Sequence, residues 1–452
     1  MMKRKISKVW GLMAALLLPV SAMSQTETTS NVLNLSLEEA IEIAVSENPT
    51  IIVADQQIEL KKISKQETWQ SLLPSVDFSG TVQYTVLAAV MKLNDMEFKM
   101  GKDNTSTWNG QFSVSLPIFA PTVYATMNLT TTDLEQAVEQ SRSSRLDLVN
   151  QVTKAYYSLM LAQDSYKVLE QSYANAEKNF EVINSMFQLG GTSEYDKISA
   201  EVQMRSLKPS MISARNAISI AELQLKVLMG IADDVDIVVD GTLSDFEEEM
   251  YSEVLASGNY SLDNNTSIRQ LDLNEKLLNQ NLTVQKMNFL PTLALQGSYA
   301  FQSLYNDNFR ISDYTWASSS SVVLSLSVPI FRMGNFTKLR STKLQISQLN
   351  QNRQYTERQI DMQVKSYLNN MKASAEQVAS NKEAIVQAEK GRLIAEKRYE
   401  IGNGTILELN NSEVSLTQAR LTYGQSIFDY LSAKADLDKT LGKEDNIYPG
   451  EK

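Results

Sequence analysis

The chain contains neither cysteine nor histidine among its 452 residues. Without cysteine it forms no disulfide, binds no metal through sulfur and offers no thiol nucleophile. Without histidine, the Ser-His-Asp, Cys-His and HExxH arrangements of many hydrolases are also excluded. The remaining carboxylates, lysines and tyrosines form no recognisable acid–base constellation. The composition therefore predicts a protein that is not an enzyme and that holds no cofactor and no metal ion.

A long apolar run is also lacking beyond residue 24, so no segment there is suited to a membrane-spanning helix. Residues 1–24 combine a basic start of four lysine or arginine residues with an apolar run and a small-residue cleavage site at Ala22-Met23-Ser24. This pattern predicts a secretory signal peptide. Removing its four positive charges changes the net charge from −11 to −15. Such acidity disfavours binding to nucleic acid phosphates.

What the chain does contain is an internal repeat with an offset of about 212 residues. Three pairs of motifs mark it: Leu73-Pro74 with Leu290-Pro291, Leu116–Phe119 with Val328–Phe331, and Phe187–Gly190 with Tyr399–Gly402. Each copy reads helix, strand, loop, strand, long helix, glycine turn, helix. We predict a first repeat over residues 25–230 and a second over 261–452, joined by a connector at 231–260.

Four segments alternate strictly between apolar and polar residues, which predicts strands with one polar face. They are residues 75–87, 107–117, 292–303 and 315–328. Each is long enough to cross a bilayer when tilted, and Trp108 and Trp316 lie where interfacial aromatics are expected. The alternation by itself is also compatible with a sheet that is covered on one face in a water-soluble protein.

The intervening segments carry a heptad pattern that predicts long packed helices. Apolar residues and tyrosines recur every third or fourth position from Leu148 to Phe187, and again from Ile360 to Tyr399, where three polar residues interrupt them. We predict a long helix over about residues 123–189 with two shorter helices, about 36–72 and 193–230, stacked end to end along it. Pro209 is expected to kink or interrupt the second short helix.

The connector is crowded with acidic residues, nine of them between positions 233 and 253. A carboxylate cluster is compatible with calcium binding, but this one lacks the regular alternation and the glycine of an EF-hand loop. The pattern favours a solvated connecting segment that contains some short strand or helix.

In their order and duplication, these motifs resemble the TolC-like outer-membrane efflux protein family. The resemblance implies a mainly α fold with membrane β-strands, in which a homotrimer forms a twelve-stranded outer-membrane β-barrel that is continued by a twelve-helix periplasmic α-barrel. It implies a channel embedded in the outer-membrane lipid of a Gram-negative cell. It further implies the exit duct of a tripartite efflux or type I secretion system. The partners would be a periplasmic adaptor (membrane fusion protein) and an inner-membrane pump of the resistance-nodulation-division or ABC type.

The resemblance also implies where partners dock and where the entrance narrows. The turns at Gly190-Gly191 and at Gly402 and Gly404 would form the periplasmic tips at which adaptors bind.

Residues next to these turns correspond to the family's periplasmic entrance and its gate. Glu408 matches one position of an acidic ring, and Asn411 occupies the second position. Tyr399 and Asp196 match the tyrosine and the aspartate of a lock whose arginine is replaced here by Gly404.

Helix capping offers a second explanation for both acids. Ser193 with Asp196, and Thr405 with Glu408, have the spacing of a helix start, where an acid at the third position stabilises the first turn. Capping and gating are compatible with each other.

Two other functions remain open from the sequence. A coiled-coil scaffold of the cell envelope would need the heptads but not the alternating strands. A copper-type metal efflux channel is suggested by 18 methionines, of which Met91, Met96 and Met100 lie in one predicted loop. Methionine in helices, however, more often fills gaps in a core, and the fold would place this loop outside the cell.

Overall fold

The computed structural model describes residues 32–93, 96–233, 235–248, 250 and 260–443. The predicted signal peptide and the connector residues Asp234, Glu249 and Glu253 lie outside these ranges. Among the described residues, no helix is long and apolar enough to cross a membrane.

The first repeat contains five strands and four helices within the described residues. They are β1 (Val32–Leu35), α1 (Leu37–Glu47), α2 (Pro49–Gln70), β2 (Ser75–Thr85), β3 (Ala89–Leu93), β4 (Met96–Met100), β5 (Thr105–Phe119), α3 (Pro121–Gln188) and α4 (Glu194–Met229).

The connector and the second repeat follow the same order, with two short 3-10 helices added. Their elements are β6 (Asp236–Val239), the 3-10 helix Leu243–Phe246, α5 (Thr266–Met287), β7 (Thr292–Asn306), the 3-10 helix Ile311–Asp313, β8 (Ala317–Ser327), α6 (Met333–Glu400) and α7 (Ile406–Leu441). The helices of 22, 68 and 36 residues in one half have counterparts of the same lengths in the other. At 1.5 Å per residue, the two long helices each extend about 100 Å.

Four strands form one antiparallel sheet in the order β2-β5-β7-β8. The β5–β7 pairing joins the two repeats, so neither half forms the sheet alone. Each of these strands overlaps a segment that alternates in the sequence. A separate hairpin of β3 and β4, not expected from the sequence, lies between β2 and β5 and carries the three methionines of the predicted loop.

The heptad positions form the packed seams of α3 and α6. From Leu148 to Phe187 every seam residue is buried or half-buried, and the same holds from Ile360 to Tyr399. Two of the three polar interruptions of the second seam, Asn381 and Arg392, have partners on α7. Asn381, for example, donates to the Ser426 hydroxyl at 2.7 Å. Polar seam residues therefore hydrogen-bond across the helix pair rather than leaving unsatisfied groups in the core.

The main hydrophobic core lies around the connector. There β1 pairs in parallel with β6, and the apolar side chains of Leu35, Ile237 and Leu243 pack against the middle of the long helices. The connector contains a short strand and a short 3-10 helix, and their apolar side chains are buried in this core rather than solvated. Its acidic residue Glu247 accepts hydrogen bonds from Lys382 and from the Tyr423 hydroxyl. This segment therefore binds the surface of the second repeat.

Two details of the predicted helices differ from the structure. The segment predicted as one helix over 36–72 is broken at Asn48, which ends α1 and caps α2 with Pro49 in its first turn. Asparagine before proline is a strong helix-start signal because the first-turn proline needs no intrahelical N–H bond.

Conversely, Pro209 does not interrupt α4, which continues through it to Met229. The prediction of an interruption there was wrong.

Matching buried asparagines hold the short helices end to end. The Asn48 amide donates to the Leu228 carbonyl at the end of α4 at 2.7 Å, while its oxygen accepts from the Thr50 N–H. Asn265 does the same in the second repeat, donating to the Thr440 carbonyl at 2.7 Å and accepting from the Ile268 N–H. Each asparagine caps one helix at its N-terminus and satisfies a free carbonyl at the C-terminus of the next. We refer to these two contacts as the asparagine joints.

Candidate functional site

The four-stranded sheet has one apolar and one polar face. Directly paired residues share a face in an antiparallel sheet, so the register places Phe78, Phe112 and Tyr299 side by side. Val76 and Leu324 on the same face are 69% and 62% exposed. The opposite face carries serine, threonine, asparagine and glutamine at nearly every position of the four strands. An exposed apolar face is costly in water, whereas a lipid environment would cover it.

The sheet has two edges. Within the described residues, β2 pairs only with β5 and β8 pairs only with β7. The outer sides of β2 and β8 therefore present unpaired backbone groups, which hydrocarbon cannot satisfy. A sheet with these properties is incomplete as a membrane element in a single chain.

At the far ends of the long helices, two glycine turns form the tips of the helical hairpins. The α3–α4 tip comprises residues 189–193, and the α6–α7 tip comprises residues 401–405. In the first, the Gly190 N–H donates to the Phe187 carbonyl at 2.9 Å and the Gly191 N–H to the Met186 carbonyl at 2.8 Å. Gly190 and Gly402 have φ of +75° and +74°. Both helices therefore end in Schellman motifs, which favour glycine because its missing Cβ permits the left-handed conformation.

The two tips pack against each other through a small apolar cluster. Ile183 and Ala200 from the first hairpin contact Ile406 and Leu409 from the second, and all four are buried. Tyr399 packs at the edge of this cluster. The predicted tip residues of both repeats are therefore neighbours within one chain.

Tyr399 and Asp196 are brought together through Thr192, which the sequence analysis did not identify. The Thr192 hydroxyl donates to the Asp196 carboxylate at 2.7 Å and lies beside the Tyr399 hydroxyl, whose pKa it lowers. Burial outweighs that effect and raises the pKa of the Tyr399 hydroxyl, and the nearby Asp196 carboxylate adds to this rise. Tyr399 therefore remains neutral where the second hairpin meets Thr192 and Asp196 of the first.

Both acids also lie at capped helix starts. The Asp196 N–H donates to the Ser193 hydroxyl at 3.1 Å, and the Glu408 N–H donates to the Thr405 hydroxyl at 3.2 Å. The Glu408 carboxylate is exposed and lies 3.5 Å from the Arg398 guanidinium. The capping geometry is therefore present at both acids, and it leaves both carboxylates available for contacts beyond the cap.

Gly404 packs closely against the backbone of Arg398 at the second tip. A Cβ on Gly404 would lie 3.0 Å from the Tyr399 nitrogen and 3.1 Å from the Arg398 carbonyl carbon, so a larger residue there would displace the helix end. Arg398 instead supplies the local positive charge, donating to the Asn403 carbonyl at 3.0 Å. Asn411 is exposed one turn further along α7. The sequence signal that could have identified Arg398 is its place immediately before Tyr399.

A buried ion pair lies between the tip and the core. Arg392, one of the polar interruptions of the α6 seam, contacts Glu413 at 3.2 Å and Glu396 at 3.3 Å. Burial raises the pKa of the Glu413 carboxyl, and the positive charge of Arg392 opposes that rise. The Arg392–Glu413 contact joins α6 to α7 near the tip, and loss of Arg392 would leave the buried Glu413 carboxylate without this partner.

A sequence model of the family described as outer membrane efflux protein matches residues 40–231 and 259–443. The chain belongs to this family. Among the relatives of this chain are outer membrane proteins of Vibrio cholerae and Escherichia coli. The outer membrane protein TolC of Vibrio cholerae is 21% identical over 309 residues, which cover 68% of this chain and 70% of that one. TolC of Escherichia coli K12 is 20% identical over 303 residues, 65% of this chain and 61% of its own length. This outer membrane efflux protein is accordingly assigned to the outer membrane.

Solved structures show the same fold. CusC superposes with a TM-score of 0.71 at 15% identity, covering 91% of this chain and 93% of its own. The CmeC outer membrane channel of Campylobacter jejuni superposes with a TM-score of 0.70 at 17% identity, covering 95% and 94% of the two chains. At these identities the likeness concerns the fold alone. Family membership supports a channel rather than a non-transporting envelope scaffold.

Proposed function

We propose that three copies of this chain form the exit duct of a tripartite efflux or type I secretion system. The observation that carries the proposal is the sheet, which has an exposed apolar face, a polar face and two unpaired edges. Pairing β2 of one copy with β8 of the next would satisfy both edges and close a twelve-stranded barrel with a polar interior. The helices of 22, 68 and 36 residues would continue the barrel as a twelve-helix tunnel across the periplasm.

In this arrangement the α3–α4 and α6–α7 tips form the periplasmic entrance. Tyr399, Thr192 and Asp196 hold the two hairpins of each copy together, and Glu408 with Asn411 lines the opening. Gly190, Gly191, Gly402 and Gly404 present a compact surface for a periplasmic adaptor, and through it for an inner-membrane pump of the resistance-nodulation-division or ABC type. The duct itself performs no chemistry.

The chain's lack of cysteine allows a direct test of adaptor docking. Gly191→Cys is tolerable because the φ of Gly191 is not left-handed and a Cβ there would lie 3.4 Å from the Met186 carbonyl oxygen, an ordinary contact. We expect a thiol crosslinker applied to intact cells to join Gly191→Cys to a periplasmic adaptor, identified by mass spectrometry. Gly334→Cys is the matched control, because Gly334 also has open space for a Cβ but lies at the opposite end of α6.

Comparison of the two variants distinguishes adaptor docking at the tip from crosslinking of proteins that are merely near the channel. An adaptor captured from Gly191→Cys but not from Gly334→Cys supports the proposal. A trimer in the outer membrane from which neither variant captures an adaptor contradicts the tripartite assignment and leaves a self-standing pore.

A further inference from the structure

The four strands of the sheet contain a single charged residue, Asp77. It lies near the start of β2, three residues after the Pro74 that separates α2 from the sheet, and its side chain is exposed. Within the described ranges, Asp77 belongs to no ion pair. A lone carboxylate on a wall of otherwise neutral residues dominates the electrostatic potential there.

The register defines what surrounds this carboxylate. Asp77 pairs with Ser113, Ser113 pairs with Ser298, and Ser298 pairs with Ser321, so the four residues form one row across all four strands. The Ser298 and Ser321 hydroxyl oxygens lie 2.8 Å apart in a hydrogen bond. Alternation puts this row on the polar face, opposite Phe78 and Val76. We call these four residues the Asp77 row.

We propose that Asp77 makes the barrel selective for cations over anions. The inference rests on the proposed trimeric barrel, in which the Asp77 row becomes a ring of three carboxylates separated by serine hydroxyls. Rings of carboxylates confer cation preference in channels because they attract cations and repel anions. The hydroxyls add hydrogen-bonding capacity without changing the charge.

Passage of solutes through the duct would therefore depend on their charge. Neutral and cationic solutes pass the ring readily, whereas small anions meet three like charges at one level. The field acts over about 10 Å at 0.1 M salt and over about 3 Å at 1 M. The bias should therefore be strong in dilute salt and weak in concentrated salt, unlike a preference that depends on pore size.

The first test compares Asp77→Asn with the wild type by reversal potentials in planar bilayers under a potassium chloride gradient. We expect the potassium-to-chloride permeability ratio to fall roughly twofold or more in Asp77→Asn, with a smaller difference in 1 M salt. Adding Ser79→Asp to Asp77→Asn returns a carboxylate to the same face two residues along β2 and should restore the ratio. Trimer formation is checked for each variant by native mass spectrometry.

The second test reverses the charge chemically, again using the absence of native cysteine. Asp77→Cys is modified with a sulfonate or a trimethylammonium methanethiosulfonate reagent. The sulfonate should restore cation preference and the ammonium should invert it. Phe78→Cys on the apolar face is the control, and its reversal potential should change with neither reagent.

The outcomes distinguish this inference from the duct on which it rests. A wild-type trimer that conducts no ions would overturn both. A conducting wild type whose reversal potential is unchanged by Asp77→Asn and by either reagent on Asp77→Cys would overturn the role of Asp77 and leave the duct intact.

Discussion

At the scale of single residues, the two tips meet through an apolar cluster, and no ion pair among the described residues links Asp196 to the second tip. Thr192 contacts both Asp196 and Tyr399, and it does so within one chain. The resemblance matches Gly404 to a locking arginine, and its lack of a side chain lets the turn pack against the end of α6. A hydroxyl–carboxylate hydrogen bond has no positive partner, so it is weaker than an arginine–aspartate pair and less sensitive to salt. If the tips form the entrance, as proposed, the entrance of this protein should open more readily than one held by an arginine–aspartate pair.

Tyr399→Phe tests this contact because it removes the hydroxyl and retains the ring. Loss of one hydrogen bond of this kind costs about 1 kcal/mol, so the ratio of open to closed entrances should rise roughly fivefold. Single-channel recordings of the purified trimer measure this ratio. Tyr173→Phe is the control, since in the described part of the chain its hydroxyl bonds only to Glu177 of the same helix. An equal effect of the two substitutions would show that the Thr192 contact does not restrain the entrance.

At the scale of elements, the asparagine joints turn separate short helices into continuous walls. Asn48 is 6% and Asn265 5% exposed, and each satisfies groups at the ends of two helices. The sequence indicated stacked short helices but not the residue that joins them. Asn48-Pro49 is a helix-start signal, but it lies within a segment whose pattern predicts one continuous helix. The bond to Leu228 spans 180 residues, and such a separation is invisible to local patterns.

Asn48→Ala and Asn265→Ala should each lower the free energy of unfolding by about 1 to 3 kcal/mol, because a cap is lost and a buried carbonyl is left unsatisfied. Guanidinium unfolding of the detergent-solubilised protein, followed by circular dichroism, measures the change. Asn352→Ala is the matched control, since Asn352 is exposed in the interior of α6 and alanine favours helix there. Destabilisation no greater than that of the control would show that the joints contribute nothing.

At the scale of the whole molecule, one chain supplies an open sheet. The order β2-β5-β7-β8 leaves one side of β2 and one side of β8 unpaired within the described residues. Closure between copies, as proposed, would make every backbone group of these strands part of a ladder.

Proline substitutions at two consecutive residues of β8 test closure. Backbone N–H groups alternate between the two sides of a strand, so one of Ser319 and Ser320 donates toward β7 and the other toward the open edge. If β8 remains an edge, proline is tolerated at one of the two positions. In a closed barrel both Ser319→Pro and Ser320→Pro remove a ladder bond, and we expect both to abolish trimers on native mass spectrometry. A normal trimer yield from the variant whose N–H points toward the open edge would contradict pairing along that edge.

The sequence alone determined the repeat, the four alternating strands, the heptad seams and the glycine turns, because each of these is a local pattern with its own period. It also located Tyr399, Asp196 and Glu408 at the tips. Only the tertiary structure decided that β5 pairs with β7 across the repeats, that Thr192 joins Tyr399 to Asp196, and that Asn48 bridges two helices. These contacts join residues far apart in the chain, and their geometry depends on how whole elements pack.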